Sequence, residues 1–320
     1  MTQDLQSEPG TVQVLTGREV PLGGIRSLNV SRTLPHRDRS FIGAWCFVDH
    51  YGPTQVVDSE RDGMDVPPHP HTGLQTVSWL FSGEVEHRDS AGVHAMVRPG
   101  EMNLMTSGHG IAHSEVSTPD TSVLHGVQLW VALPESERDG VRDFQHYVPD
   151  PQLVDGATVL LFIGELPGLH ASPIHTATPL LGAELRLTAG STVELPINPA
   201  FEHAVLVDTG EVTLDGQRLV RGDLGCVDAG PSQVTLEAGA DGARLILLGG
   251  EPFEESIVMW WNFIGRNHDE IVAAREQYEA GAERFGQVAG YVGPVDRIPA
   301  PPIPHVRLRP RSRHGRAPRD

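Results

Sequence analysis

The sequence predicts an all-β protein of two β-barrels in tandem, followed by a short helix. Three observations carry this. Short apolar runs recur along the 320 residues, and the 35 Gly and 26 Pro that separate them are spread along the chain, as expected for many short strands joined by tight turns. Two stretches, about 12–132 and 158–249, share that rhythm, which suggests a duplicated barrel. After Gly250 the apolar spacing changes to that of a helix.

In the first unit, strand candidates fall at 41–49, 75–81, 95–98, 102–106 and 126–133, with Ser82-Gly83 and Pro99-Gly100 as turns. The charged stretch 134–157 loses the alternation and reads as a linker. In the second unit, Asp215-Gly216 between two short strands is a hairpin signal, because both central positions of that turn need positive φ. Asn267 can cap a helix with Glu270 in the capping-box position. Ile271, Ala274, Tyr278 and Ala282 then follow helical spacing, and Gly286 is a stop. Trp260 and Trp261, just before, read as packing residues. The expected organisation is a barrel over 1–133, a linker over 134–157, a barrel over 158–290 with its helix near 268–285, and a tail over 291–320. Six Arg among Pro and polar residues make the stretch from Arg307 to Arg319, within that tail, read as disordered and solvated.

The net charge is −18, and all 24 basic residues are Arg. An acidic body repels phosphates, so direct nucleic-acid binding is not expected. Cys46 and Cys226 sit in separate apolar runs and form neither a disulfide framework nor a CxxC pair. The polar first ten residues lack the pattern of a signal peptide. No run has the length of a membrane span. A cytoplasmic protein is expected.

Two short motifs carry the chemistry. In His69-Pro70-His71 the two imidazoles are i and i+2, on one face of a strand. If that strand ran on without a bulge, Gln75, Val77, Trp79 and Phe81 would share the face. In His113-Ser114-Glu115 an imidazole and a carboxylate repeat the spacing. Three imidazoles and one carboxylate suit one Fe, Mn, Ni, Co, Cu or Zn ion and leave coordination positions open. The absence of thiolates argues against a structural zinc site. His109, between two Gly before His113, is a candidate for proton transfer or substrate contact.

At these residues the chain resembles the pirin family of the cupin superfamily. The matching text is His69 to Val77, Pro99-Gly100-Glu101, Met105 to Glu115, Gly249 to Pro252, Met259 to Arg266 and His268 to Glu276. The resemblance implies two cupin barrels, of which only the first binds metal. It implies His69, His71, His113 and Glu115 as the ligands, usually of iron, so Fe(II) is the expected ion. His203, without an HxH partner, then reads as structural or exposed. Gln75 stands where other cupins have a Glu, and is expected beside the ligands, not among them. Two functions follow from the resemblance. One is a quercetin 2,3-dioxygenase-like oxidoreductase acting on a flavonol-like aromatic substrate and O2, with Glu115 as catalytic base. The other is an iron-binding, redox-responsive regulator that acts by binding a protein partner.

Overall fold

A computed structural model describes residues 11–22, 28–57, 63–313 and 315–316. The first ten residues and the last four, including Arg319, lie outside the described residues. The strands in chain order are β1 (Gln13–Thr16), β2 (Arg18–Pro21), β3 (Asn29–Leu34), β4 (Trp45–Gln55), β5 (Asp65–His71), β6 (Leu74–Ser82), β7 (Val85–Asp89) and β8 (His94–Val97). There follow β9 (Met102–Thr106), β10 (Ile111–Ser117), β11 (Val123–Ala132), β12 (Asp143–Tyr147), β13 (Gln152–Val154), β14 (Ala157–Ile163) and β15 (Leu180–Leu187). Then come β16 (Thr192–Pro196), β17 (Glu202–Leu214), β18 (Gln217–Leu219), β19 (Asp223–Val227), β20 (Gln233–Gly250), β21 (Val258–Trp260), β22 (Phe263–Gly265) and α1 (His268–Glu279). No helix among the described residues is long and apolar enough to cross a membrane.

The chain divides into two compact units. One takes 18–41, 45–148 and the chain from Glu254 onward; the other takes the residues up to Gly17, 42–44 and 149–253. The first has a seven-stranded sheet, β12-β9-β6-β11-β4-β3-β2, and a four-stranded sheet, β5-β10-β7-β8. Val30, Tyr51, Val66, Leu80, Val85 and Leu124 form one of its apolar clusters. Each such side chain taken fully from water contributes roughly 1.5–3 kcal/mol.

The second unit is one sheet along β1-β19-β17-β20-β15-β14-β13, with β16 on β20 and β18 on β17. Its longest strands bend at irregularities: β17 shifts register on β20 at Val207/Thr209 and Gly210/Val212. Gly210, at φ +77°, supplies the backbone freedom there. Glu202–Leu214 is therefore one bent strand. Asp215 and Gly216 both have positive φ, and Leu214 pairs with Gln217 across them, as the hairpin signal required.

Four expectations about organisation differ from the structure. The chain from Glu254 onward, with the helix, belongs to the compact unit of the first barrel and not to that of the second, while the described residues up to Gly17 belong to that of the second, where β1 pairs with β19. The stretch 134–157 carries β12, paired on β9, and β13, paired on β14. Its polar residues cover exposed strand faces, which hides the apolar alternation. The helix follows Asn267, whose side chain accepts from the Glu270 amide at 3.0 Å, but it ends at Glu279, not near 285. Gly281 at φ +72° turns the chain out of the helix, and 283–285 form a separate short turn. Finally, the Arg-rich stretch is not loose through its described part. Ala300 is buried beside Ile271, Ala274 and Tyr278, and Ile303 and Leu308 pack on the same cluster. Arg311 exchanges two backbone hydrogen bonds with Ile257, at 2.7 and 3.0 Å. The apolar residues between the arginines fasten this segment.

Cys46 and Cys226 are buried thiols outside any disulfide, as their apolar settings imply.

Candidate metal centre

The centre is built on three adjacent antiparallel strands. β10 pairs with β5 on one side, setting His113 opposite His69 and Ile111 opposite His71. It pairs with β7 on the other, setting His113 opposite Asp89 and Glu115 opposite His87. Each strand offers an i, i+2 pair: His69 and His71, His113 and Glu115, His87 and Asp89. The third pair was missed in the sequence, although His87-Arg88-Asp89 shows the same spacing as the other two.

His69, His71 and His113 bring one nitrogen each to within 4.8 Å of one another. Backbone carbonyls fix two of the rings. His69 Nδ1 donates to Pro67 O at 2.9 Å, and His71 Nδ1 donates to Asn262 O at 3.1 Å. A carbonyl can only accept, so Nδ1 carries the proton and Nε2 keeps its lone pair. Asn262 is presented by the tight turn between β21 and β22, where Trp261 holds φ +52°, a conformation an aromatic residue seldom adopts. Burial pushes the His69 pKa down to about 4. Burial and the neighbouring imidazoles push His71 and His113 well below the usual histidine range.

These observations test whether a cation fits. His71 Nε2 and His113 Nε2 are 3.0 Å apart. Two imidazole nitrogens that share one ion at about 2.1 Å each, near a right angle, stand about 3 Å apart. Neutral, buried, convergent imidazoles with their far nitrogens tied are the donor set that such an ion needs. The residues fit the group.

Glu115 is buried too, and desolvation raises its pKa. Its Oε1 lies 3.4 Å from the Ser78 hydroxyl. Its carboxylate lies within 4.8 Å of a ring nitrogen of His87 and of His113, and is not in the group of three imidazoles. The pairing explains this. Between His113 and Glu115 the β10–β5 register slips, so that Glu115 faces Val66. The slip falls at Pro67 and Pro68, which have no N–H to give the ladder.

Gln75 is not among the residues that line the cavity over the imidazoles. Gly73, at φ +68°, ends β5, and β6 begins in the other sheet. The parity expected from His71 through Phe81 is thereby broken. Gln75 Nε2 donates to Thr106 at 2.9 Å, and it is Thr76 that lines the cavity over the imidazoles. His109 also sits elsewhere. It lines a different cavity, of about 220 Å³, with Arg138, Glu270 and Arg284, and its Nδ1 faces Gly140 O at 3.3 Å.

The cavity over the imidazoles has a volume of about 460 Å³. His69, His71, His113 and Glu115 line it, and Phe47, Trp130, Met259 and Trp261 supply apolar walls. Phe47 and Trp130 are stacked, centroids 4.1 Å apart and planes 11° from parallel. Arg32 lies over Phe47 at 4.2 Å and is paired with buried Asp49 at 2.6 Å. Trp261 both packs on the helix cluster and lines this cavity, so the packing role expected for it is only part of its position. Ile298, from the segment after the helix, lines it as well, held by its amide on Pro68 O at 2.8 Å.

Comparison with known proteins adds the following. The Pirin family profile matches residues 27–131, and that of the Pirin C-terminal cupin domain matches 182–286. A Pseudomonas aeruginosa protein, provisionally named a quercetin 2,3-dioxygenase, is 43% identical over 294 residues, 92% of this chain and 91% of that protein. A pirin-like protein of Caulobacter vibrioides is 33% identical over 276 residues, 84% of this chain and 93% of its own. Among solved structures, a quercetin 2,3-dioxygenase from Acinetobacter baumannii superposes with a TM-score of 0.86 at 37% identity, covering 93% of this chain and 97% of that one.

Proposed function

The chain belongs to the pirin family of cupins, and from that premise we propose a mononuclear metal-dependent dioxygenase of the quercetin 2,3-dioxygenase type. The observation that carries this reading is the aromatic-walled cavity of about 460 Å³ that three imidazoles and a carboxylate line. His69, His71, His113 and Glu115 would hold one divalent ion. Fe(II) is the first to test, and the donor set also accepts Mn, Ni, Co, Cu or Zn. When bound, the ion supplies Lewis acidity and a template for the substrate oxygens.

The chain's own residues do the rest. The stacked Phe47 and Trp130 give a flat apolar wall for a planar ring system. Glu115 takes the proton of the flavonol hydroxyl. Its buried setting raises its pKa, which makes the carboxylate a stronger base than one in water. The apolar walls exclude water from the reacting carbons. In the overall reaction two ring C–C bonds break, the carbon between them leaves as carbon monoxide, and both atoms of O2 enter the ester product. Ferrous protein mixed with quercetin should bleach it, consume O2 and release carbon monoxide, and Glu115→Ala should lose the activity. Absence of turnover with Fe, Mn, Ni, Co and Cu would overturn the reading.

The net charge of −18 supports a second reading, a regulator that binds a basic protein partner according to iron oxidation state. Identical partner binding by metal-free, ferrous and ferric protein would remove it.

A further inference from the structure

Strand β7 faces the imidazole cluster with a pair that the ligand set above does not use. His87 and Asp89 are buried, 3% and 2% exposed. His87 Nε2 lies 3.3 Å from Asp89 Oδ2, and His87 Nδ1 lies 3.4 Å from His113 Nδ1. Phe144 of β12 leans on the His87 ring, centroids 5.0 Å apart.

We propose that Asp89 and His87 are positioning residues, which order the protons along Asp89–His87–His113 so that the Nε2 lone pair of His113 is presented to a divalent cation. The inference rests on the metal-centre reading above. The order follows from what each atom can do. Asp89 Oδ1 accepts from the amides of Ala91 and Val93 at 2.8 and 3.0 Å. The carboxylate is thus pinned, and its Oδ2 is turned to His87. His87 Nε2–H donates there. An imidazole with one N–H then has its Nδ1 as an acceptor. His113 Nδ1 faces that acceptor and donates to it, which leaves the lone pair on His113 Nε2. The reverse order would set a bare ring nitrogen against a carboxylate oxygen, two acceptors 3.3 Å apart. With the forward order all three cluster imidazoles share one tautomer, because His69 and His71 are set the same way by Pro67 O and Asn262 O. The third ring has a carboxylate-backed imidazole where the other two have a carbonyl. That arrangement both fixes the ring and raises its basicity as a ligand.

The test reads the protons and the affinity separately. Nitrogen-15 histidine NMR of the metal-free full chain at pH 8 should show His113 protonated on Nδ1. Zinc competition against a chelator should show His87→Leu weaker than wild type by about ten- to a hundredfold. His87→Gln should recover most of that loss, because its amide oxygen can accept from His113 Nδ1. Asp89→Asn should fall between. His113 protonated on Nε2 in the wild type overturns the proposal without needing any variant to fold. So does wild-type affinity in His87→Leu. So does an equal loss in His87→Leu and His87→Gln, which would make His87 a ligand in its own right. A wild-type chain that binds no zinc, nickel or iron would instead sink the metal-centre reading, and the tautomer measurement would still decide the proton order.

Discussion

The two units share an architecture but fill their inner faces in opposite ways. In the first, β5, β10 and β7 turn His69, His71, His113, Glu115, His87 and Asp89 to one face, all buried. In the second, Val205 and Val207 on β17 and Leu245 and Leu247 on β20 belong to one continuous apolar core. His203 has the parity of Val205 and Val207 but no imidazole beside it on β17. Among the described residues, no cation-sized cluster lies wholly within the second unit. A barrel interior is thus stabilised in either of two ways: by close apolar packing, or by polar groups that satisfy one another and a ligand. What separates the two units is the identity of side chains at inward i, i+2 positions.

The largest expected effect breaks that difference directly. His113 is the imidazole common to both cation-sized groups of the first unit. His113→Ala should leave metal content below about a tenth of an ion per chain, more than the loss typical of a residue behind the ligands. His203→Ala should leave it at the wild-type level. Elemental analysis of the purified variants checks both, and metal lost equally from the two would erase the contrast.

Next in size is a cavity in the apolar interior. Leu247 is fully buried in the second core. Leu247→Ala should cost about 2–5 kcal/mol in denaturant unfolding of that unit, while metal content per folded chain is unchanged. Metal loss in the folded variant would mean that the two interiors do not act independently.

These contrasts show what the sequence carries and what it conceals. The His69/His71 and His113/Glu115 pairs were legible because strand parity is a property of two neighbouring residues, as were the Asp215-Gly216 hairpin and the Asn267 cap. His87 and Asp89 obey the same rule and were within reach of it. Other features depend on long-range geometry. The slip at Pro67 and Pro68, which turns Glu115 toward His87, exists only once β10 has paired with β5. The turn at Gly73 sends Thr76 to the cavity in place of Gln75. Ile298 reaches the cavity from a segment more than two hundred residues beyond His71 in the chain.

A third prediction uses pH. Burial lowers the His203 pKa from 6.5 to about 4, so the native state holds this ring neutral where the unfolded chain would protonate it. The contribution is complete above pH 6.5 and is lost as pH falls from 6.5 through 4. Its full size is about 3 kcal/mol. Unfolding midpoints measured from pH 7 to pH 4 should fall more steeply for wild type than for His203→Leu. Parallel curves would show that His203 gains protons in the folded state as readily as in the unfolded one.

The smallest expected effect compares one turn from each unit. Gly216 has φ +83° and open space around the position of a Cβ. Gly216→Ala should therefore cost only the backbone penalty of the left-handed region, about 1 kcal/mol. Gly83 has nearly the same conformation, φ +89°, but its Cβ would lie 2.6 Å from the Val123 carbonyl oxygen. That atom belongs to β11, and moving it disturbs a strand paired on both sides. Gly83→Ala should thus add an overpacking cost of about 1–3 kcal/mol to the same backbone penalty. Denaturant unfolding of the two variants checks the order. Equal losses would mean that the turn after β6 relaxes freely, and that the first unit holds its strands less firmly at this end than their pairing implies.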